Sequence, residues 1–287
     1  MTSWIPLGEM QLLPLSGGRL RIDGGNMFGV VPRMLWQRVA VPDEEHRIQV
    51  ETNCLVVRTP SSLGLIDTGY GSKAPEKIRR RYAMQPGAPL VRNLRDHDIV
   101  PEDIDWVILT HLHFDHAGGC TYRDKNHRLR PTFCRARHYV QRVEWDDGVG
   151  DVPELEGSYF KDDFLPLAET GLLQWVNCQS EVEPGVTVSL TGGHTRGHQM
   201  VKLKSQGETA IYAADLCPTV AHLQTFWTLA YDQFPLIVRR LKPSLVRDIV
   251  EHRRLMLFSH DPDVAAARLA MDESGKLRAD PIMRLPH

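Results

Sequence analysis

The segment Thr110-His111-Leu112-His113-Phe114-Asp115-His116-Ala117-Gly118-Gly119 gathers three of the chain's 13 histidines and an aspartate into six positions. Neutral imidazole and carboxylate are good ligands for zinc and related divalent ions. The spacing of His111 and His113 lets a loop point both rings to one side, while Asp115 and His116 turn towards a neighbouring position. A single loop histidine is an ordinary surface residue, but the pattern HxHxDH reads as a metal site. The glycine pair behind it is expected to let the backbone turn tightly. Three residues further on extend the set: His194 after Gly192-Gly193, Asp215 after Tyr212-Ala213-Ala214, and His260 after Phe258-Ser259. These donors exceed what one tetrahedral ion needs, which points to two. Two ions about 3.5–4 Å apart make a hydroxide available at neutral pH and polarise a carbonyl or phosphoryl oxygen, which is the chemistry of ester, lactone, amide or phosphoester hydrolysis. No GxSxG motif is present, and no Ser-His-Asp arrangement is needed.

Such a site needs rigid elements behind it. Residues 50–58 are rich in β-branched and apolar side chains and read as a strand, residues 59–62 as a turn and residues 63–66 as a second strand. Residues 73–98 have helical composition broken at 86–89, and residues 101–104 start a short helical turn. The run Trp106-Val107-Ile108-Leu109 is of the buried-strand type and leads directly into the histidine cluster. Residues 136–147 read as strand then helix, 186–190, 200–204 and 210–213 as strands, 233–253 as a helix and 255–258 as a last apolar strand. Each candidate ligand therefore sits just past the end of an apolar strand or in the loop beyond it, where strands aim loop side chains at one point. Residues 1–48 read as a first strand followed by an irregular segment.

With these residues in view the sequence resembles the metallo-β-lactamase superfamily, whose signature is HxHxDH followed by a distant His, an Asp and a last His. The matching elements run from about residue 50 to 261. The resemblance implies a single α/β domain over residues 1–287, an αββα sandwich of two mixed β-sheets packed face to face with helices outside. It implies that His111, His113 and His194 bind one divalent metal ion, that Asp115, His116 and His260 bind the other, and that Asp215 bridges them. The ions are expected to be Zn2+, with Fe, Mn or Co also suited to such ligands. Leu65-Ile66-Asp67-Thr68-Gly69 matches the family's first motif, so Asp67 is expected to orient a ligand imidazole by accepting its other N–H. Thr110 and His198 are candidates for similar support. Asp115 and Asp215 carry the catalytic expectations: Asp115 as proton donor to the leaving group, Asp215 as the bridge that sets up the hydroxide. Cys120 and Cys217 lie near the ligands but occupy no ligand position, and read as small buried residues.

One branch of the superfamily is a closer likeness, the quorum-quenching N-acyl-homoserine lactonases. The residues that carry this are the stretch 23–32 around Gly24-Gly25-Asn26-Met27-Phe28-Gly29, the stretch 215–222, Ala230-Tyr231-Asp232 with Pro235, and His260-Asp261-Pro262. The function implied is opening of an acyl lactone by a metal-bridging hydroxide. Met27, Phe28, His222 and Tyr231 are candidates for the substrate pocket, with Trp36, Phe226 and Trp227 as further apolar wall. The sequence departs from some lactonases at Pro218, where they carry a Tyr that helps hold the lactone carbonyl; His222 or Tyr231 is a candidate replacement. That departure leaves an organophosphate or aryl-ester hydrolase on the same dinuclear site as the alternative. Related lactonases are often dimers, so the resemblance allows a homodimer around a small-molecule substrate.

The bulk figures bound the rest. The 287 residues, 42% hydrophobic and 24% charged, describe an ordinary globular chain. A formal net charge of −2 gives no support for a nucleic-acid partner, and the run Lys77-Ile78-Arg79-Arg80-Arg81 reads as a solvated helix face. The five cysteines are scattered, with no CxxC, which argues against a disulfide framework. No signal peptide and no membrane-spanning apolar run are visible, so a cytoplasmic location and no membrane partner are expected.

Overall fold

The computed structural model describes residues 3–155, 157 and 159–284. Two seven-stranded sheets form the centre, and they divide the chain by sequence. The first contains, in spatial order, Ile5–Leu7, Met10–Asp23, Arg47–Arg58, Leu63–Ile66, Trp106–Ile108, Arg137–Gln141 and Leu173–Val176. The second contains Gln179–Glu183, Val186–Leu190, Gln199–Ser205, Glu208–Tyr212, Leu255–Leu257, Val264–Met271 and Leu277–Arg284. Both sheets are mixed: the four strands from Leu63–Ile66 to Leu173–Val176 run parallel, as do Glu208–Tyr212 and Leu255–Leu257.

Alternation along the strands explains the layering, because successive side chains take opposite faces. Leu12, Leu55, Val57, Ile66, Trp106 and Ile108 point into one cluster with Val188, Val201, Leu203, Tyr212 and Leu257 of the other sheet. Their neighbours Leu13, Val56, Leu65 and Val107 point outward and are covered by Leu90 and Leu94 of the helix Pro89–Arg95, Trp145 of the helix Arg142–Val149, and Phe164. The second sheet's outer face, with Ile211, Met256 and Ala267, is covered by Ile249 of the helix Pro235–Glu251. Each such fully buried aliphatic side chain contributes about 1.5–3 kcal/mol. The expected αββα sandwich is thus present.

The N-terminal part differs from the expectation of an irregular segment. Met10–Asp23 is one 14-residue strand paired with Arg47–Arg58, and two short helices follow, Gly24–Phe28 and Arg33–Trp36. The register shifts between Ser16 and Arg19, so Gly17-Gly18 forms a bulge that hides the two-residue period from the sequence pattern. All five cysteines are free thiols, with Cys54, Cys120 and Cys217 buried. No helix among the described residues is long and apolar enough to cross a membrane.

Candidate metal centre

The loops that leave the C-terminal ends of Leu63–Ile66, Trp106–Ile108, Glu208–Tyr212 and Leu255–Leu257 converge at one edge of the sandwich. Two of them turn through left-handed backbone: Asp67 has φ 58° and Ala214, just before Asp215, has φ 46°. Side chains rarely adopt this conformation, which costs about 1–2 kcal/mol per residue, and strain of this kind concentrates at functional sites. Gly118 and Gly119 do not serve as left-handed turn residues. They are required by close approach: a Cβ on Gly118 would stand 2.5 Å from the Tyr70 carbonyl oxygen, and one on Gly119 2.1 Å from that of Thr68. The turn behind HxHxDH is thereby locked against the turn after Asp67.

The structure brings His111, His113, Asp115, His116, His194, Asp215 and His260 together. Three overlapping groups have donor atoms within 4.8 Å of one another: His111, His113 and His194; His111, His116 and Asp215; Asp115, His116 and His260. Asp215 stands between the outer two groups. Its Oδ2 is 3.4 Å from His194 Nε2, while its Oδ1 is 3.3 Å from His116 Nε2 and 3.1 Å from His260 Nε2.

The tautomers follow from the outward hydrogen bonds. His194 Nδ1 donates to Asp232 Oδ1 at 2.9 Å, His116 Nδ1 to Asp67 Oδ2 at 2.8 Å, and His260 Nδ1 to the Glu51 carbonyl at 2.7 Å. With the proton held outside, each neutral ring presents an Nε2 lone pair inward. These inward atoms face other ring nitrogens: His194 Nε2 and His113 Nδ1 at 3.1 Å, His111 Nε2 and His113 Nδ1 at 3.0 Å, His116 Nε2 and His260 Nε2 at 3.0 Å. Buried lone pairs at such distances repel unless a cation stands among them. The donor set therefore fits divalent ions.

The electrostatics agree. Burial holds His111 and His113 well below the ordinary imidazole range. Burial also opposes charge on His116, His194 and His260, but Asp215 above all outweighs it, and their pKa values are raised. Burial pushes Asp215 up in turn, yet His260, His116 and His194 hold its carboxyl well below the usual range. The pocket is built to keep a bare carboxylate that demands positive charge beside it.

The supporting residues lie where the ligands need them. Thr110 Oγ1 donates to Asp67 at 2.9–3.0 Å and stands 3.1 Å from His111 Nδ1, so it passes the hold of Asp67 on to a second ring. His198 Nε2 accepts from the Asp215 backbone N–H at 3.1 Å; burial holds the ring down at about 3, so it stays a neutral acceptor. Sequence reasoning missed Asp232, which sits 38 residues from His194, and Tyr212, whose hydroxyl donates to the Asn53 carbonyl at 2.6 Å and lies 3.2 Å from Asp67 Oδ2. Asp232 was legible only as part of Ala230-Tyr231-Asp232, with nothing to say that it reaches an imidazole.

A cavity of about 90 Å³ opens over the cluster, with His113, Asp115, His194, Asp215 and His260 on its floor. Its walls are Leu20, Ile22, Met27, Val50, Leu229 and Tyr231, with Tyr82 and Phe114 beside them. Met27 and Tyr231 thus stand where the sequence reading put them. Phe28 and His222 do not. His222 is fully buried and stacks on Phe28 with ring centroids 5.2 Å apart, and both of its nitrogens are engaged, with Thr219 Oγ1 at 2.7 Å and the Met27 carbonyl at 2.9 Å. The pair supports Met27 from behind. Trp36 and Trp227 pack against Phe28 in that same layer and Phe226 is exposed, so none of the three lines the cavity. A larger groove of about 790 Å³, around Arg95, Tyr122, Arg130 and Cys134, holds none of the clustered donors.

Comparison with known proteins agrees with this geometry. The sequence matches the Metallo-beta-lactamase superfamily model over residues 47–283. A structure described as a probable metal-dependent hydrolase from Staphylococcus aureus is 28% identical; the likeness covers 98% of this chain and 100% of that one, with a TM-score of 0.89. An N-acyl homoserine lactonase of Bacillus cereus is 22% identical over 219 residues, 72% of this chain and 80% of that protein. AidC, a dizinc quorum-quenching lactonase solved in complex with a product, is 21% identical, with 99% of this chain and 98% of that one covered at a TM-score of 0.76. At that identity the last likeness speaks for the fold.

Proposed function

This chain belongs to the metallo-β-lactamase superfamily of metal-dependent hydrolases, and we propose that it is a dinuclear enzyme that opens N-acyl-homoserine lactones. The observation that carries this reading is the pair of donor groups on either side of Asp215, at the floor of an apolar-walled cavity. His111, His113 and His194 would hold one ion and Asp115, His116 and His260 the other, with Asp215 offering one oxygen to each side. Zinc suits this donor set, and iron, manganese and cobalt share its ligand preferences. When bound, two such ions supply Lewis acidity and a hydrolytic nucleophile at neutral pH.

The chain's own residues do the rest. Asp115 stands at the cavity floor, with Oδ2 3.7 Å from His260 Nε2, where it can carry a proton to the departing alkoxide. Tyr231 is the one wall residue with a hydroxyl beside an apolar lining. Its oxygen accepts from Asn26 Nδ2 at 2.7 Å, which leaves its own proton for a substrate oxygen, and burial pushes the phenol up to about 12, so that proton stays in place. Leu20, Ile22, Met27, Val50 and Leu229 keep water out and offer an acyl chain an apolar surface. The likeness to the B. cereus lactonase supports the substrate class.

Pro218 favours a second reading. It gives its carbonyl to the His260 N–H at 2.9 Å and offers no hydroxyl to the cavity, so substrates with activated leaving groups, aryl esters or organophosphates, suit the same site. The test pairs metal analysis with turnover of homoserine lactones of graded chain length, a nitrophenyl ester and an aryl phosphotriester. About two ions per chain are expected, with kcat/KM for a lactone about tenfold or more above the others, a difference of about 1.4 kcal/mol in the barrier. Saturation at one ion overturns the dinuclear reading; triester turnover without lactone turnover selects the second.

A further inference from the structure

The helix Arg142–Val149 carries in its first turn a carboxylate that the chemistry above does not use. Glu144 is fully buried. A buried carboxylate is costly unless its oxygens are occupied by donors, and here each oxygen has one, from a different loop. The backbone N–H of Leu112 donates to Oε1 at 2.9 Å, and the hydroxyl of Thr195 donates to Oε2 at 2.6 Å. Leu112 lies between His111 and His113, and Thr195 directly follows His194. The two arms of one rigid carboxylate thus reach both loops that supply the three-histidine group.

The surrounding packing is shaped for this contact. A Cβ on Gly197 would stand 2.4 Å from the Cβ and the backbone nitrogen of Glu144, so the loop after His194 lies directly against the start of the helix. On the other side, Gly148 leaves room for Leu112, whose Cδ1 would be 3.0 Å from an added Cβ. A second link joins the same loops nearer the strands: the Gln199 N–H donates to the Thr110 carbonyl at 2.9 Å and Gln199 Nε2 to that of Leu109 at 2.8 Å. The Gln199 contacts fix the register of the strands, whereas the Glu144 contacts act at the residues beside the ligands.

We propose that Glu144 is a positioning residue that clamps the His111–His113 loop to the His194 loop, setting the spacing of the three-histidine group before a metal arrives. The clamp acts on one of the two ion positions and not on the other, because neither Asp115, His116 nor His260 hangs from it. This inference rests on the metal reading of the site.

The test titrates wild type, Glu144→Ala, Glu144→Gln and Thr195→Val, each prepared metal-free, with Co2+ against a chromophoric chelator, following the visible Co2+ spectrum and the melting temperature of the metal-free form. The wild type is expected to show two binding steps; a single step would overturn the dinuclear reading itself, and the clamp with it. With two steps in the wild type, Glu144→Ala should weaken one of them by about 10- to 100-fold, the range for losing a group that orients a ligand. Thr195→Val removes one arm with little change of volume and should weaken the same step by a smaller factor. Glu144→Gln should stay closest to wild type: its amide oxygen still accepts from Leu112 and its NH2 can donate to the Thr195 oxygen. If Thr195→Val and Glu144→Ala leave both steps and the Co2+ spectrum unchanged, the clamp is refuted while the metal reading stands. It is equally refuted if both steps weaken together in proportion to a lower melting temperature, because that is the mark of a residue that only supports the fold.

Discussion

Asp232→Asn isolates the hold on a single imidazole. Asp232 is nearly fully buried and spends both oxygens: Oδ1 accepts from His194 Nδ1 at 2.9 Å and Oδ2 from the Leu229 N–H at 3.0 Å. An asparagine of the same shape has one acceptor oxygen. Its NH2 must then face either the Leu229 N–H or the His194 ring. In the first case a buried donor is left without a partner. In the second the ring is driven to the tautomer with its proton on Nε2, which removes the inward lone pair. The charge-assisted bond lost is worth about 1.5–3 kcal/mol. At about 1.4 kcal/mol per tenfold, metal binding at the three-histidine position should weaken by about 10- to 100-fold. Chelator competition, with wild type and variant measured at one pH, reads this directly. Two unchanged dissociation constants would show that His194 does not need Asp232 and would refute the tautomer argument on which the site's donor chemistry rests.

Three further substitutions probe the reaction. Asp215→Asn replaces the charge that faces both donor groups with a neutral amide; it should lower kcat by about 100-fold or more, several kcal/mol of charge stabilisation, and full metal content with an unchanged rate would show that Asp215 is not the bridge. Asp115→Asn should slow an aliphatic lactone, whose alkoxide needs a proton, more than a nitrophenyl ester, whose phenolate leaves without one; equal losses at matched metal occupancy would reduce Asp115 to a ligand. Tyr231→Phe keeps the ring and removes the hydroxyl that Asn26 orients, so kcat/KM for the lactone should fall by about tenfold, near the worth of one hydrogen bond, with metal content unchanged; no change would remove Tyr231 from substrate binding.

The ease of reading differed between parts of the molecule for physical reasons. HxHxDH was legible because its residues are local and rare in combination, and Asp215 and His260 because each ends a strongly apolar strand. The central strands Leu63–Ile66, Trp106–Ile108 and Glu208–Tyr212 were legible from their unbroken apolar runs. Met10–Asp23 was not, because the Gly17-Gly18 bulge breaks its period. Val264–Met271 and Leu277–Arg284 were not, because the first is largely alanine and the second an edge strand rich in charge. His222 misled because a histidine beside a ligand loop suggests chemistry, whereas its two nitrogens are consumed by Thr219 and Met27. Asp232 and Glu144 act across 38, 32 and 51 residues of chain, and only the folded arrangement of the two sheets makes neighbours of them and their partners.

Both sheets are needed for this site, and the division of labour between them is nearly even. The first sheet contributes Asp67 and the loop that carries the first histidines; the second contributes His194, Asp215 and His260. On each side a strand ends in a left-handed residue, Asp67 on one and Ala214 on the other, and each of these turns aims a carboxylate, that of Asp67 or Asp215, at the shared cluster. The strain is tolerated because the carboxylates are held: Asp67 accepts from the Thr110 N–H at 2.8 Å and from its hydroxyl, and Asp215 Oδ1 from Ser259 Oγ at 3.2 Å. What hydrogen bonds alone leave unmet is the inward charge and the row of facing ring nitrogens. A cation there serves the folded arrangement and not the unfolded chain, so its binding free energy adds to the stability of the interface between the sheets. The geometry that makes the edge of this sandwich reactive is therefore the same geometry that a metal would hold together.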